Sequence, residues 1–122
     1  MEIVATDEFA SWFRALGERD AEDVTRALNV LEAMGGDAPD LRRVEVPLPL
    51  ARARPASAIH ELAIRGTAFF VFLAMPSAPE PAVLLYGYAS DAGRADLGRL
   101  AHLMLAVKVH GMHLAAGRKE AV

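Results

Sequence analysis

The chain has 122 residues, the size of one domain, and 53% of them are apolar, which is enough for a compact core. No apolar run approaches the roughly 20 residues that a membrane-spanning helix needs, and the absence of cysteine excludes disulfides and thiolate metal ligands. With 13 lysines and arginines against 16 acidic residues the net charge is −3, so the chain lacks the overall basic charge that is typical of nucleic-acid-binding proteins.

The N-terminal part is predicted to be a short strand followed by a helical hairpin. Residues 2–5 form an apolar stretch typical of an edge strand, and Thr6 is a favourable N-cap for the helix that follows. The apolar stripe of this helix recurs at helical spacing, at Phe9, Trp12, Phe13 and Leu16. Asp20 is predicted to cap a second helix, whose stripe is Val24, Ala27, Leu28, Leu31 and Met34. Because the connection is short, we expect the two helices to pack antiparallel.

Residues 36–57 are predicted to be a proline- and arginine-rich loop within the single domain 1–122. Prolines in this segment exclude a central strand, although residues 41–46 are compatible with a short one. The loop arginines are Arg42, Arg43, Arg52 and Arg54. They are either solvated side chains on a surface loop or part of a basic arm that contacts RNA or an acidic partner.

The C-terminal part is predicted to be three strands and a long helix. Residues 59–64, 67–75 and 82–89 are rich in β-branched and aromatic side chains, and Arg65-Gly66 fits a tight turn between the first two strands. The helix is expected over residues 92–115, with a stripe at Leu97, Leu100, Ala101, Met104, Lys108, Gly111 and Leu114. These elements predict an α+β fold with a small antiparallel sheet, an N-terminal helical hairpin and a C-terminal helix, arranged in two layers with the helices on one face.

Five short motifs follow one another along this predicted fold. They are Phe9-Ala10-Ser11-Trp12-Phe13, residues 28–35 (LNVLEAMG), Glu61-Leu62-Ala63, Phe69-Phe70-Val71 and residues 84–91 (LLYGYASD). In type and order they resemble the motifs of the RelE/ParE superfamily of bacterial toxins, in the HigB branch that includes phage proteins. The resemblance extends over residues 2–110 and implies a RelE-like fold.

The resemblance also implies a function, which is ribosome-dependent cleavage of mRNA by the toxin of a type II toxin–antitoxin pair. Such toxins use arginine and lysine on the exposed sheet face to bind phosphate, and a C-terminal histidine or tyrosine often assists proton transfer. The matching positions here are Ala63, Phe70, Ser90 and Asp91. The catalytic candidates that remain are Arg65, His110, His113 and Glu61.

Side chains alternate between the two faces of a strand, and this predicts what replaces the missing cations. If Leu62 and Ile64 face the helices, Glu61 and Ala63 face the other way. Four rings join them on that face, those of Phe70, Phe72, Tyr86 and Tyr88. This aromatic face is either a partner surface, a second small core covered by a loop or by the last helix, or a platform for nucleobases.

The four histidines have less specific surroundings. His110 and His113 could act as general acid or base, or could lie in a solvated helix end; they are spaced as half a metal site, but no third ligand is apparent. His60 precedes Glu61 and either packs in the strand or shares a site role with it, and His102 is structural or on the surface. Since no phosphate-binding glycine loop, nucleophile elbow or zinc motif occurs, we expect neither a cofactor nor a metal.

Two functional hypotheses follow. The first is a ribosome-dependent mRNA endonuclease that uses Arg65, the loop arginines and His110 or His113. The second is a non-catalytic module that binds a protein through the aromatic face, the partner being an antitoxin, a gyrase-like target or a second copy of the chain. In both cases we expect a cytoplasmic protein with no membrane partner and with a cognate antitoxin.

Overall fold

A computed structural model describes residues 1–44, 58–75, 80–90 and 95–120 of the chain. The elements are β1 (Ile3–Ala5), α1 (Asp7–Arg14), α2 (Glu18–Met34), a 3-10 turn (Gly35–Asp37), β2 (Leu41–Arg43), β3 (Ala58–Ala63), β4 (Phe69–Met75), β5 (Ala82–Ala89) and α3 (Ala95–Glu120). The predicted α+β class, with helices at both ends of the chain and a mainly antiparallel sheet, is confirmed. Arg52, Arg54 and most of the predicted 36–57 loop lie outside the described residues.

The five strands form one sheet in the order β1-β5-β4-β3-β2. Strands β2 to β5 pair antiparallel, and β1 pairs parallel with β5, with Val4 opposite Val83. The predicted turn between β3 and β4 is present, and Gly66 adopts a φ of 80° there, a conformation that glycine adopts without strain. The N-terminal strand β1 therefore forms one edge of the sheet, beside β5, and the short strand β2 forms the other edge.

A bulge in β5 changes which of its side chains face each side of the sheet. Phe72 pairs with Tyr86, and Leu73 pairs with Leu84, so Leu85 is the extra residue. The Oγ1 hydroxyl of Thr6 lies 3.0 Å from the carbonyl oxygens of both Leu84 and Leu85, to which it donates, and it accepts the N–H of Phe9 at 3.2 Å. One threonine thus caps α1, as predicted, and also ties the start of α1 to the bulge.

The first face of the sheet packs against α1 and α2. Its buried core contains side chains from both helices and from three strands, among them Phe9, Val24, Leu31, Leu62, Val71, Leu73 and Leu84. Trp12 lies flat enough on β5 that a Cβ added at Gly87 would overlap its indole ring. The edge of Phe69 contacts the same indole, with ring centroids 5.8 Å apart at 79°. The absence of a side chain at Gly87 therefore allows α1 to pack closely on the sheet.

The second face of the sheet packs against α3, which corrects the predicted two-layer arrangement. A separate buried cluster joins Leu103, Ala106, Val107 and Val109 of α3 to sheet residues that include Ile59, Phe72, Ala74, Leu85 and Tyr88. The prediction placed all helices on one face because three strands and one stripe per helix do not show which face each helix covers. Both faces of this sheet are apolar, so both need a cover.

The orientation of α3 also differs from the prediction. Of the predicted stripe, Ala101, Met104 and Lys108 are exposed, whereas the neighbouring residues Leu103, Ala106, Val107 and His110 are buried. Apolar residues occur on both sides of this helix, so periodicity alone did not identify the side that faces the sheet. The start of α2 differs less, since it begins at Glu18 with Gly17 at the N-cap position instead of at Asp20.

We expect Gly87→Ala to destabilise the fold by about 1–3 kcal/mol, because the added methyl group must displace the indole ring of Trp12. Urea-induced unfolding followed by circular dichroism measures the change. The matched control is Gly36→Ala, since a Cβ at Gly36 meets no atom within 4 Å. Equal stability of the two variants would contradict the packing described for Trp12.

Candidate functional site

The face covered by α3 contains a continuous stack of rings centred on Tyr88. The ring of Tyr88 stacks on Phe70 at 5.6 Å, on Phe72 at 5.2 Å and on the imidazole of His102 at 4.5 Å. The same imidazole stacks on Tyr86 at 5.5 Å. Stacked rings at these distances gain stabilisation beyond their buried area. The predicted aromatic face therefore exists as one cluster, and α3 contributes His102 to it.

Glu61 is the charged group at the centre of this face, and it is 1% exposed. The hydroxyl of Tyr88 donates to its Oε2 at 2.7 Å. Nε and Nη2 of Arg42 donate to its Oε1 at 3.1 and 2.7 Å. Arg42 and Glu61 are directly opposite each other on β2 and β3. Side chains in such a cross-strand pair lie on the same face of the sheet and are close enough to interact. A buried carboxylate requires such partners, because an unpaired one would lose its hydration without compensation.

Burial lowers the pKa of His102 below its ordinary value of 6.5, because a charged imidazolium loses hydration at the helix–sheet interface. The Nδ1 atom of His102 is buried and has no hydrogen-bond partner among the described residues. The neutral ring is accordingly the form that fits between Tyr86 and Tyr88. Sequence reasoning assigned His102 to structure or surface and missed its place in the aromatic cluster.

The catalytic candidates are divided between the two sides of the sheet. Arg65 lies at the β3–β4 turn, where it pairs with Asp40 at 3.1 Å and its side chain is 77% exposed. It lines a cleft of about 340 Å³ with Leu62 and residues of α2, on the side of the sheet opposite Glu61. His110 is buried in α3, and His113 is half-buried one turn further on. His60 alternates with Glu61 and so faces the α1–α2 side, opposite Arg43.

The loop arginines are likewise not grouped as a basic surface in the described part of the chain. Arg42 is bound to Glu61, with its side chain still 63% exposed, and the neighbouring Arg43 points to the other face. No group of three or more histidine, aspartate or glutamate side chains that could hold a metal ion occurs among the described residues.

Of the alternatives for the aromatic face, the arrangement in this structure is the second core covered by the last helix. Phe72 and Tyr88 are buried, at 0% and 4% exposure, and Phe70 and Tyr86 are half-buried against the same cluster. Since α3 lies on these rings, neither a protein partner nor a nucleobase reaches Phe72 and Tyr88 while the helix is in place. The strand alternation that predicted the shared face is confirmed, with the β5 bulge placing Leu85 on that face as well.

Comparison with protein-family models, curated proteins and solved structures found no match to this chain. In the described residues, no helix is both long and apolar enough to cross a membrane. The site itself consists of an arginine–glutamate–tyrosine network joined through Tyr88 to the stack of rings that packs against α3.

We expect Tyr88→Phe to cost about 1–3 kcal/mol of stability, because the variant keeps the ring but removes a hydrogen bond to a buried carboxylate. Guanidinium-induced unfolding measures the loss. Tyr86→Phe is the matched control, since it removes a hydroxyl from the same cluster and leaves the hydrogen bonds of Glu61 intact. A loss as large in the control as in Tyr88→Phe would argue against the network described here.

The lowered pKa of His102 predicts a dependence of stability on pH. The folded state binds a proton less readily than the unfolded state, whose histidine pKa is about 6.5. The contribution of His102 is therefore fully present above about pH 6.5 and is lost as the pH falls through that value toward the folded pKa. In His102→Phe, which keeps a stacked ring, we expect a smaller loss of the free energy of unfolding between about pH 7.5 and about pH 5.5 than in the wild type. Identical losses in the two proteins would refute this assignment.

Proposed function

We propose that this protein is a toxin-fold component of a type II toxin–antitoxin pair that acts by binding a protein, and not by cutting mRNA. The proposal combines two kinds of support. The order of elements and motifs resembles the RelE/HigB toxins, whereas the charged groups on the relevant sheet face have a different arrangement from the one that RNA cleavage needs.

The observation that supports the binding mechanism most directly is the pairing of Arg42 with the buried carboxylate of Glu61. An RNA-cutting face requires free cations to bind the phosphate and to stabilise the charge that develops at the scissile bond. Here the cation nearest the centre of the face is neutralised by a buried carboxylate. Arg65, the next candidate, pairs with Asp40 on the other side of the sheet.

The net charge of the chain supports the same mechanism. A ribosome-directed nuclease approaches a highly negative surface, and attraction to phosphate supplies much of the affinity for RNA. A chain with a net charge of −3 has no such long-range attraction. A protein target, such as a gyrase-like enzyme or a cognate antitoxin in the cytoplasm, does not require it.

The alternative is ribosome-dependent mRNA cleavage, with Arg65, His110, His113 and Glu61 as the catalytic residues. It would require Glu61 and His110, which are both buried, to become accessible to RNA. It would also require Arg65 to exchange Asp40 for a phosphate. Both steps cost free energy that substrate binding would have to supply.

Induced expression in a bacterial host distinguishes the two mechanisms. We expect growth to arrest while mRNA remains intact, as judged by mapping new 5′ ends in translated transcripts, and we expect Arg65→Ala and His113→Ala to arrest growth as strongly as the wild type. New mRNA ends that appear with the wild type and disappear in those two variants would establish the nuclease. Normal growth in cells that contain soluble, folded protein would contradict the toxin function altogether.

A further inference from the structure

The outer face of α3 presents several exposed apolar side chains. Met104, Leu105 and Met112 are 50%, 44% and 54% exposed, and Ala101 and Lys108 are exposed beside them. Most surface helices present charged and polar residues on the side away from the core. On α3 the inner side contains Leu103, Ala106 and Val107, and the outer side is apolar as well.

The spacing of the outer residues is that of a helix–helix contact. Ala101, Met104, Lys108 and Gly111 follow one another at intervals of three, four and three, and Leu105 and Met112 flank this seam. This is the a/d spacing by which two helices pack along a shared seam. Residues 101 to 112 span about 17 Å at a rise of about 1.5 Å per residue, which is three turns. Methionine side chains adapt readily to the shape of a partner.

Lys108 determines which partner fits this seam. It is the one charged residue in the segment 101–114, which contains no aspartate, glutamate or arginine. A second copy of the chain, paired parallel and in register along the same seam, would bring two Lys108 ammonium groups into one apolar contact without a carboxylate from either segment. A single lysine in such a seam is tolerated when the partner places an acidic residue against it.

We propose that the outer face of α3, from Ala101 to Met112, binds an amphipathic helix of a protein partner that has one carboxylate among its apolar residues, opposite Lys108. This proposal rests on the proposed function in that it takes the partner to be a protein. It assigns the contact to the side of α3 that faces away from the aromatic cluster, so that binding needs no displacement of α3 from the sheet.

A pair of synthetic helices tests the proposal with the full-length chain. Each is a stapled peptide of about 18 residues, or five turns, with leucine at the a and d positions of its seam and either glutamate or lysine at the central a position. Fluorescence anisotropy measures binding. We expect the wild type to bind the glutamate peptide about tenfold more tightly than the lysine peptide, and we expect Lys108→Glu to reverse this preference.

Two further variants locate the contact. Leu105→Glu introduces a charge into the proposed seam and should abolish binding of the glutamate peptide. Val30→Glu, which alters an apolar residue of α2 with a similar exposure of 40%, should leave it unchanged. Both variants should retain the circular dichroism spectrum and the thermal unfolding of the wild type, because the changed side chains lie on the surface.

Several outcomes would overturn the proposal. These are no binding of either peptide, equal binding of both by the wild type and by Lys108→Glu, or a loss of binding in Val30→Glu as great as in Leu105→Glu. Sedimentation that reveals a dimer disrupted by Leu105→Glu would make the occupant a second copy. If the protein arrests growth but binds neither peptide, the proposed helix contact is wrong and the toxin function stands. If it binds the peptides as expected but does not affect growth, the toxin function is wrong and the helix contact stands.

Discussion

The carboxylate of Glu61 is buried on the face of the sheet that packs against α3, and its need for hydrogen-bond donors explains much of the arrangement around it. Without Arg42 and Tyr88 the burial of this charge would cost several kcal/mol. The two donors come from β2 and β5, on either side of the β3–β4 pair. The network therefore joins the outer strand β2 to the centre of the sheet, and it places the ring of Tyr88 where Phe70, Phe72 and His102 stack on it.

The sheet has two apolar faces, and each is covered in a different way. On one face α1 approaches closely because Gly87 leaves room for Trp12, while Thr6 attaches the start of α1 to the β5 bulge. On the other face α3 covers a cluster that contains both apolar side chains and the Glu61 network. The sheet is thus enclosed between helices, and the aromatic face is part of the interior.

This enclosure changes where an interaction with another molecule is to be sought. The aromatic side chains that the sequence suggested as a partner surface pack against α3, and the exposed apolar side chains of Met104, Leu105 and Met112 lie on the opposite side of that helix. A protein with a closed sheet face can still bind a partner through its outer helix, and in the contact proposed here Lys108 supplies the charge that discriminates between partners.

The sequence alone determined the order of elements, the α+β class, the Thr6 cap and the set of residues that share a face with Glu61, because these depend on local spacing and on the alternation of side chains along a strand. It could not determine that Arg42 and Tyr88 meet at Glu61, since these residues are separated by 19 and 27 positions and only the strand register brings them together. Nor could the sequence determine which side of α3 faces the sheet. This helix is apolar on both sides, so the spacing of its apolar residues does not identify the buried side. The tertiary structure decided that point, since the side that includes His102 and Leu103 fits the rings and bulge of β4 and β5, and the other side is left exposed.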